Sequence, residues 1–125
     1  MTPVDQTIFG GREGNCFAAC VATILRLPLE DVPNFCAHED WFARFDAWLR
    51  ERGLWPLKFD ASAELIDNVA RDALGIVSGE AERGLMHATV WRGGAMVHDP
   101  HPSRAGLLEV VDVIYIVPLD PGAAA

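Results

Sequence analysis

What the chain lacks narrows its class before any motif is read. It has no cluster of Lys or Arg, and its ten basic residues are scattered among eighteen acidic ones, for a formal charge of −8. A phosphate-tracking surface needs concentrated positive charge, so nucleic acid is not the expected partner and basic peptides are a better match. Cysteine is sparse and odd in number, three in 125 residues. Three thiols cannot all pair, and reduced cysteines suit the cytoplasm. The start "MTPVDQ" has neither the basic nor the apolar region of a secretory signal. No apolar run approaches the roughly 20 residues that cross a bilayer, so membrane insertion is not expected. Internal repeats and low-complexity tracts are also missing. What is present is a chain that is half hydrophobic, enough for one domain, residues 1–125, with a core of its own.

Periodicity divides that domain in two. Residues 1–14 are polar and glycine-rich and read as an entry loop, and a helical pattern then runs from Asn15 to Leu27, where Pro28 stops it. Cys16, Ala19, Cys20, Thr23 and Leu27 share one face, and Phe17, Val21, Ile24 and Leu25 another, so this helix is apolar nearly all round and expected to be central. "PLEDVPNF" reads as a turn of helix or a loop. A second amphipathic helix spans Glu39 to Arg52, with Trp41, Phe42, Phe45 and Trp48 as core packing and Gly53 as its C-terminal cap. "LWPLKF" is too proline-broken for a central strand, and "SAELIDNVARDAL" reads as a third helix. From residue 75 the period changes: "GIVSG", "MHATVWR", "AMVHDP" and "EVVDVIYIVPL" are β-branched and aromatic runs separated by turn residues. Helices first and antiparallel strands second predict an α+β fold, with residues 120–125 a frayed tail.

Cys16 stands where the glycine-rich loop meets the central helix. With Asn15 as the N-cap, its side-chain oxygen accepting a backbone N–H, Cys16 becomes the first helical residue, at the positive end of the macrodipole. A thiol there is expected to ionise more readily, and the adjacent backbone N–H of Cys16 can hold a developing oxyanion. A nucleophilic thiol also needs a base. The candidates are His38, His87, His98 and His101, of which His87 is distinctive because it opens a strand and is followed later by "HDP".

These residues carry a family resemblance. "NCFAACVATIL" resembles the nucleophile helix of the papain-like cysteine peptidases, particularly the bacterial branch that cleaves double-glycine leader peptides. "HATVW" followed by "DP" resembles that branch's strand-borne histidine and the carboxylate before proline, in the same order of Cys, His, Asp. The resemblance implies a papain-like α+β domain with the nucleophile at the start of a central helix, packed on a C-terminal antiparallel sheet. It implies a hydrolase acting on a peptide or protein substrate through a thioester, without cofactor or metal. Cys16 would be the nucleophile, His87 the general base and then acid, and Asp99 the group that orients the imidazole. Two positions depart from the pattern. Phe17 stands where relatives have glycine, which predicts a narrower or reshaped cleft. Gly10 stands where they place an oxyanion-hole glutamine, and Gln6 reaches that place only if the glycine loop bulges.

Each assignment has a plainer rival. Cys16 alone reads as a core cysteine, His87 as a buried histidine bonded to backbone, and Asp99 as the turn former before Pro100; the constellation favours function. Cys20, one turn inside, reads as structural. "CAH" at Cys36 to His38 and "HDPH" at His98 to His101 offer metal-ligand types without a zinc module's paired spacing. A non-catalytic binding domain of the same fold, or a deamidase or acyltransferase using the same thioester, stands beside the hydrolase.

The hairpin "HATVWRGGAMVHD" tests the triad geometrically. A two-residue turn at Gly93 and Gly94 pairs Arg92 with Ala95 and would put His87 and Asp99 on opposite faces. The triad therefore requires a three-residue turn that pairs His87 with Asp99, or a bulge between Val97 and Asp99 that restores the parity; either way His98 faces away.

Overall fold

A computed structural model describes residues 1–10, 13–82 and 84–122. It is α+β. Three helices, α1 (Cys16–Leu25), α2 (Trp41–Arg50) and α3 (Ala63–Val69), accompany strands β1 (Leu54–Asp60), β2 (Leu74–Glu80), β3 (Met86–Arg92), β4 (Ala95–His98) and β5 (Glu109–Pro118). The strands form one antiparallel sheet in the order β1-β5-β2-β3-β4. Of the expected tail, residues 123–125 lie outside the described residues, as do Gly11 and Arg12 of the entry loop.

The helices come out shorter than the pattern predicts. α1 ends at Leu25 because Arg26 turns left-handed, with φ 59° and its N–H bonded to the Ala22 carbonyl, two residues ahead of the proline that could not have continued it. "PLEDVPNF" resolves into two 3₁₀ turns, Leu29–Asp31 and Phe35–Ala37. Gly53, at φ 75°, closes the end of α2 as expected, its N–H reaching the Arg50 carbonyl. α3 begins where the Ser62 hydroxyl accepts the Leu65 N–H. β1 lies between α2 and α3, so the helices do not all precede the strands as expected; it carries Pro56 and is an edge strand, where a missing N–H is tolerated.

Both sheet faces are covered. Ile76, Ala88, Val90 and Ile114 pack under α1 and an aromatic cluster of Phe17, Phe35 and Phe45. Val77, Val113 and Tyr115 face the other way and receive Ile66 of α3. Phe45, Leu49, Ile76 and Ile114 are buried, each worth roughly 1.5–3 kcal/mol of removal from water. The central helix is as buried as its all-round apolarity predicts: Phe17 to Thr23 are all inside.

The β3–β4 hairpin corrects one expectation and meets the requirement behind it. The turn is the two-residue one, with Arg92 opposite Ala95 and Trp91 opposite Met96, and Gly93 at φ 57°. The register then slips, and Val90 faces His98. The extra residue is Val97, so the bulge lies between Met96 and His98, one step earlier than expected. Continued along the strands, this register offsets Asp99 from His87 by two, which is even parity and therefore one face.

A second register shift, between Ser78 and Gly79 where β2 pairs with β5, depends on glycine. Gly79 is the cross-strand partner of His87, and a Cβ there would run into the Glu109 carbonyl oxygen. Because backbone cannot step aside as a flexible side chain can, we predict that Gly79→Ala destabilises the fold by roughly 2–4 kcal/mol. Thermal unfolding would show a Tm lower by about 10 °C; an unchanged Tm would mean that β5 does not approach this closely.

Candidate active site

The N-terminus of α1, the start of β3 and the loop after β4 meet at one cavity of about 610 Å³, lined by Cys16, His87, Gln6 and His101 among others. α1 packs directly on β3. The backbone N–H of Ala88, next in chain to His87, acts on the Cys16 thiol and favours its anion. His87 is buried, and its Nε2 lies 2.6 Å from Asp99 Oδ1. With Nε2 committed there, Nδ1 is the ring nitrogen left for a proton from the cavity side.

Asp99 is built to hold that imidazole. Its side chain is fully buried; Oδ1 also accepts the His101 N–H at 2.9 Å, and Oδ2 accepts the Gly106 N–H at 2.7 Å. Burial alone would raise its pKa, but the hydrogen bonds from His87, His101 and Gly106 outweigh it and keep the carboxyl below its ordinary value. It therefore stays charged at neutral pH. Arg104 ties the loop down by bonding the Asp99 carbonyl and, at 2.6 and 2.9 Å, both carboxylate oxygens of Asp5.

Cys16 corrects the expectation of an easily ionised thiol. Burial pushes its pKa up, and the backbone N–H groups of Ala88, Phe17 and Cys16 only partly offset this. The helix N-terminus acts in the expected direction, but desolvation of the anion under the cavity wall is larger. Asn15 is also corrected. It occupies the N-cap position, but its side chain makes no cap bond. Its Oδ1 instead accepts the Thr7 and Ile8 N–H groups, each at 2.9 Å, and its Nδ2 donates to the Thr7 hydroxyl.

The same contacts fix the approach to Gln6. The Asn15 backbone N–H bonds the Ile8 carbonyl, so Ile8 and Asn15 are held together. The Gln6 backbone N–H bonds the Pro100 carbonyl beside Asp99, and its side chain is buried at the cavity. Nε2 gives one hydrogen to the Ile8 carbonyl, while Oε1 is buried without a partner.

Phe17 does not fill the cleft. It forms a cavity wall, buttressed by Trp41 and Phe45 at ring-centre distances of 5.2 and 4.9 Å. Trp41, expected as core, is only half-buried and lines the same cavity. The other named residues separate. Cys20 is buried one turn inside α1. Cys36 reaches the cavity wall, and burial pushes its thiol up to about 12. His98 points elsewhere, as expected, with Nε2 2.9 Å from the Val4 carbonyl and 3.3 Å from Asp5. Neither proposed metal motif assembles a donor set: among the described residues no three His, Cys, Asp or Glu side chains gather as a metal would need.

Two cavity residues, Ser78 and Asp112, were missed by sequence reasoning as parts of this site. His101, one of the candidate bases there as well as part of a metal motif, stands edge-on to His87, with ring centres 6.2 Å apart. Ser78 and Asp112 reach the cavity from neighbouring strands. Asp112 left a readable signal, a carboxylate inside the otherwise apolar run from Val110 to Val117 and in step with the inward-facing Ile114. Compared with family models, curated proteins and solved structures, the chain has no match in any of the three.

Proposed function

We propose that this chain is a papain-like, cysteine-dependent amide hydrolase that cleaves a peptide or protein substrate in the cytoplasm. The observation that carries the reading is the buried 2.6 Å contact between His87 and Asp99, opening on the cavity that Cys16 lines. A buried imidazole with one nitrogen on an anionic carboxylate has its tautomer set and its protonated form stabilised. Further support comes from the free state of all three cysteines and from the lack, among the described residues, of a helix long and apolar enough to cross a membrane.

In this mechanism the resting thiol is neutral. His87 Nδ1 takes the Cys16 proton as the sulfur attacks the amide carbonyl, and the Cys16 backbone N–H, with the second hydrogen of Gln6 Nε2, receives the oxyanion. The imidazolium returns its proton to the departing amine, leaving a thioester on Cys16. Water, deprotonated by the same ring, then attacks the thioester, and Cys16 leaves as a thiol. Asp99 keeps its charge throughout.

The test is covalent capture. A mixed pool of peptidyl acyloxymethyl ketones, which need both a reactive thiol and a peptide cleft, is incubated with the full chain at neutral pH and the adduct mapped by mass spectrometry. The expected result is one adduct, on Cys16. Labelling of Cys36 at the same rate, or no labelling, would overturn the hydrolase reading.

A further inference from the structure

Of the ionisable side chains that line the cleft and that this mechanism does not use, Cys36, His101 and Asp112, the last is the carboxylate. Asp112 faces Ser78 directly across β5 and β2, and Ser78 faces Ala88 directly across β2 and β3. Directly opposed residues share a face, so the three form a straight row across the floor of the cavity. The row starts at Ala88, which lines the cavity together with Cys16 on the strand against which α1 packs, and reaches Asp112 after two strand spacings, about 10 Å. That span suits a long side chain borne by a residue whose backbone is held at Cys16.

The charge along the row is unbalanced. The Asp112 side chain is 15 % exposed, and Lys58 Nζ comes only to 4.0 Å, at the limit of an ion pair and 37 % exposed on the edge strand. Asp60, the cross-strand partner of Asp112 on β1, adds a second carboxylate. Burial raises the Asp112 pKa; Lys58 lowers it, and Asp60 raises it again. A buried carboxylate with so loose a partner gains more from a second, better-placed cation than an exposed one would. The walls before it, Phe17, Trp41 and Ile114, are apolar. Apolar walls ending in a carboxylate match a side chain with a hydrocarbon stem and a positive tip.

We propose that Asp112 is the specificity-determining residue of a subsite that receives the lysine or arginine side chain of a peptide bound at Cys16. The place of that side chain in the substrate rests on the hydrolase reading, whereas the binding of the cation does not. Ser78, between Asp112 and Ala88, offers the incoming head group a hydroxyl.

The experiment separates the two. Full-length Cys16→Ala protein, which cannot react, is titrated with N-acetyl-lysine methylamide and with the norleucine analogue, which keeps most of the stem and loses the charge. Backbone amide shifts in the Ser78 to Asp112 row report binding. The lysine compound is expected to bind at least about tenfold more tightly; Asp112→Asn should collapse the lysine-to-norleucine ratio toward one, and Lys58→Ala should increase it. Equal affinities for the two compounds, or a preference that survives Asp112→Asn, would overturn the subsite. In wild-type protein, equally fast labelling of Cys16 by lysyl, norleucyl and glutamyl ketones would also overturn it and leave the hydrolase reading intact. Lysine-selective binding in a protein whose Cys16 resists every ketone would do the reverse.

Discussion

Asp99→Asn is expected to slow capture of peptidyl ketones at Cys16 by two to four orders of magnitude, although the two side chains have the same shape. The reason lies in the three donors around the carboxylate. Oδ1 serves His87 and the His101 N–H, and Oδ2 serves the Gly106 N–H. An amide has one acceptor end. Directed at His87, it turns its NH₂ against the Gly106 N–H; directed at Gly106, it turns that NH₂ against the imidazole. Either arrangement leaves a buried donor unpaired, at about 1–3 kcal/mol, and the charge that stabilises the imidazolium is lost in both. A pH signature accompanies the loss. Because the folded-state pKa of Asp99 is lowered, its contribution to stability is present above the unfolded carboxyl value near 4 and disappears as pH falls through the folded value. Acid titration followed by circular dichroism should therefore show wild type and variant far apart at pH 7 and converging in acid. Undiminished capture in Asp99→Ala would remove the carboxylate from the mechanism.

The second large effect concerns the thiol. Alkylation of Cys16 by iodoacetamide is expected to be fast at pH 7 in the wild type and at least about 100-fold slower in His87→Ala. The residual reaction in the variant should titrate above the ordinary thiol value near 8.5. The sign follows from the site: a raised pKa means less thiolate at neutral pH, and burial raises that of Cys16 beyond what the Ala88, Phe17 and Cys16 N–H groups recover. Reactivity in the wild type must then come from proton transfer to the ring rather than from the helix end. A variant thiol that titrated below the ordinary value would show that the helix N-terminus dominates after all. Cys36, half-buried at the cavity wall, is the internal control in the same sample.

These two expectations mark the boundary between local and non-local information. Cys16, His87 and Asp99 are legible in the chain because each sits at a local signal: a loop-to-helix junction, the start of a β-branched run, and an aspartate before proline. Whether the last two meet was a question of parity. A two-residue turn alone gives the wrong answer, and the bulge at Val97 that reverses it has no marker in "AMVHD". Gln6 likewise could not be placed at the cavity from its neighbours in the chain, because the bonds that hold it there come from Pro100 and Ile8. Asn15 misled because an asparagine before a helix is a cap by local rules, while in the folded chain its side chain is taken by residues seven and eight positions earlier.

The order of helices first and strands second missed β1, a strand between α2 and α3. By itself, then, the sequence determined the α+β class, the three helices, the four later strands, the burial of α1 and the exclusion of the proline-bearing segment from the centre of the sheet. All of these follow from periodicity and backbone chemistry within a dozen residues. Only the tertiary structure decided that His87 and Asp99 share a face, that Ser78 and Asp112 extend the floor of the cavity, and that burial raises the pKa of the Cys16 thiol. Register is a relation between strands far apart in the chain, and desolvation is set by whatever packs over a group; neither is written in the neighbours along the sequence.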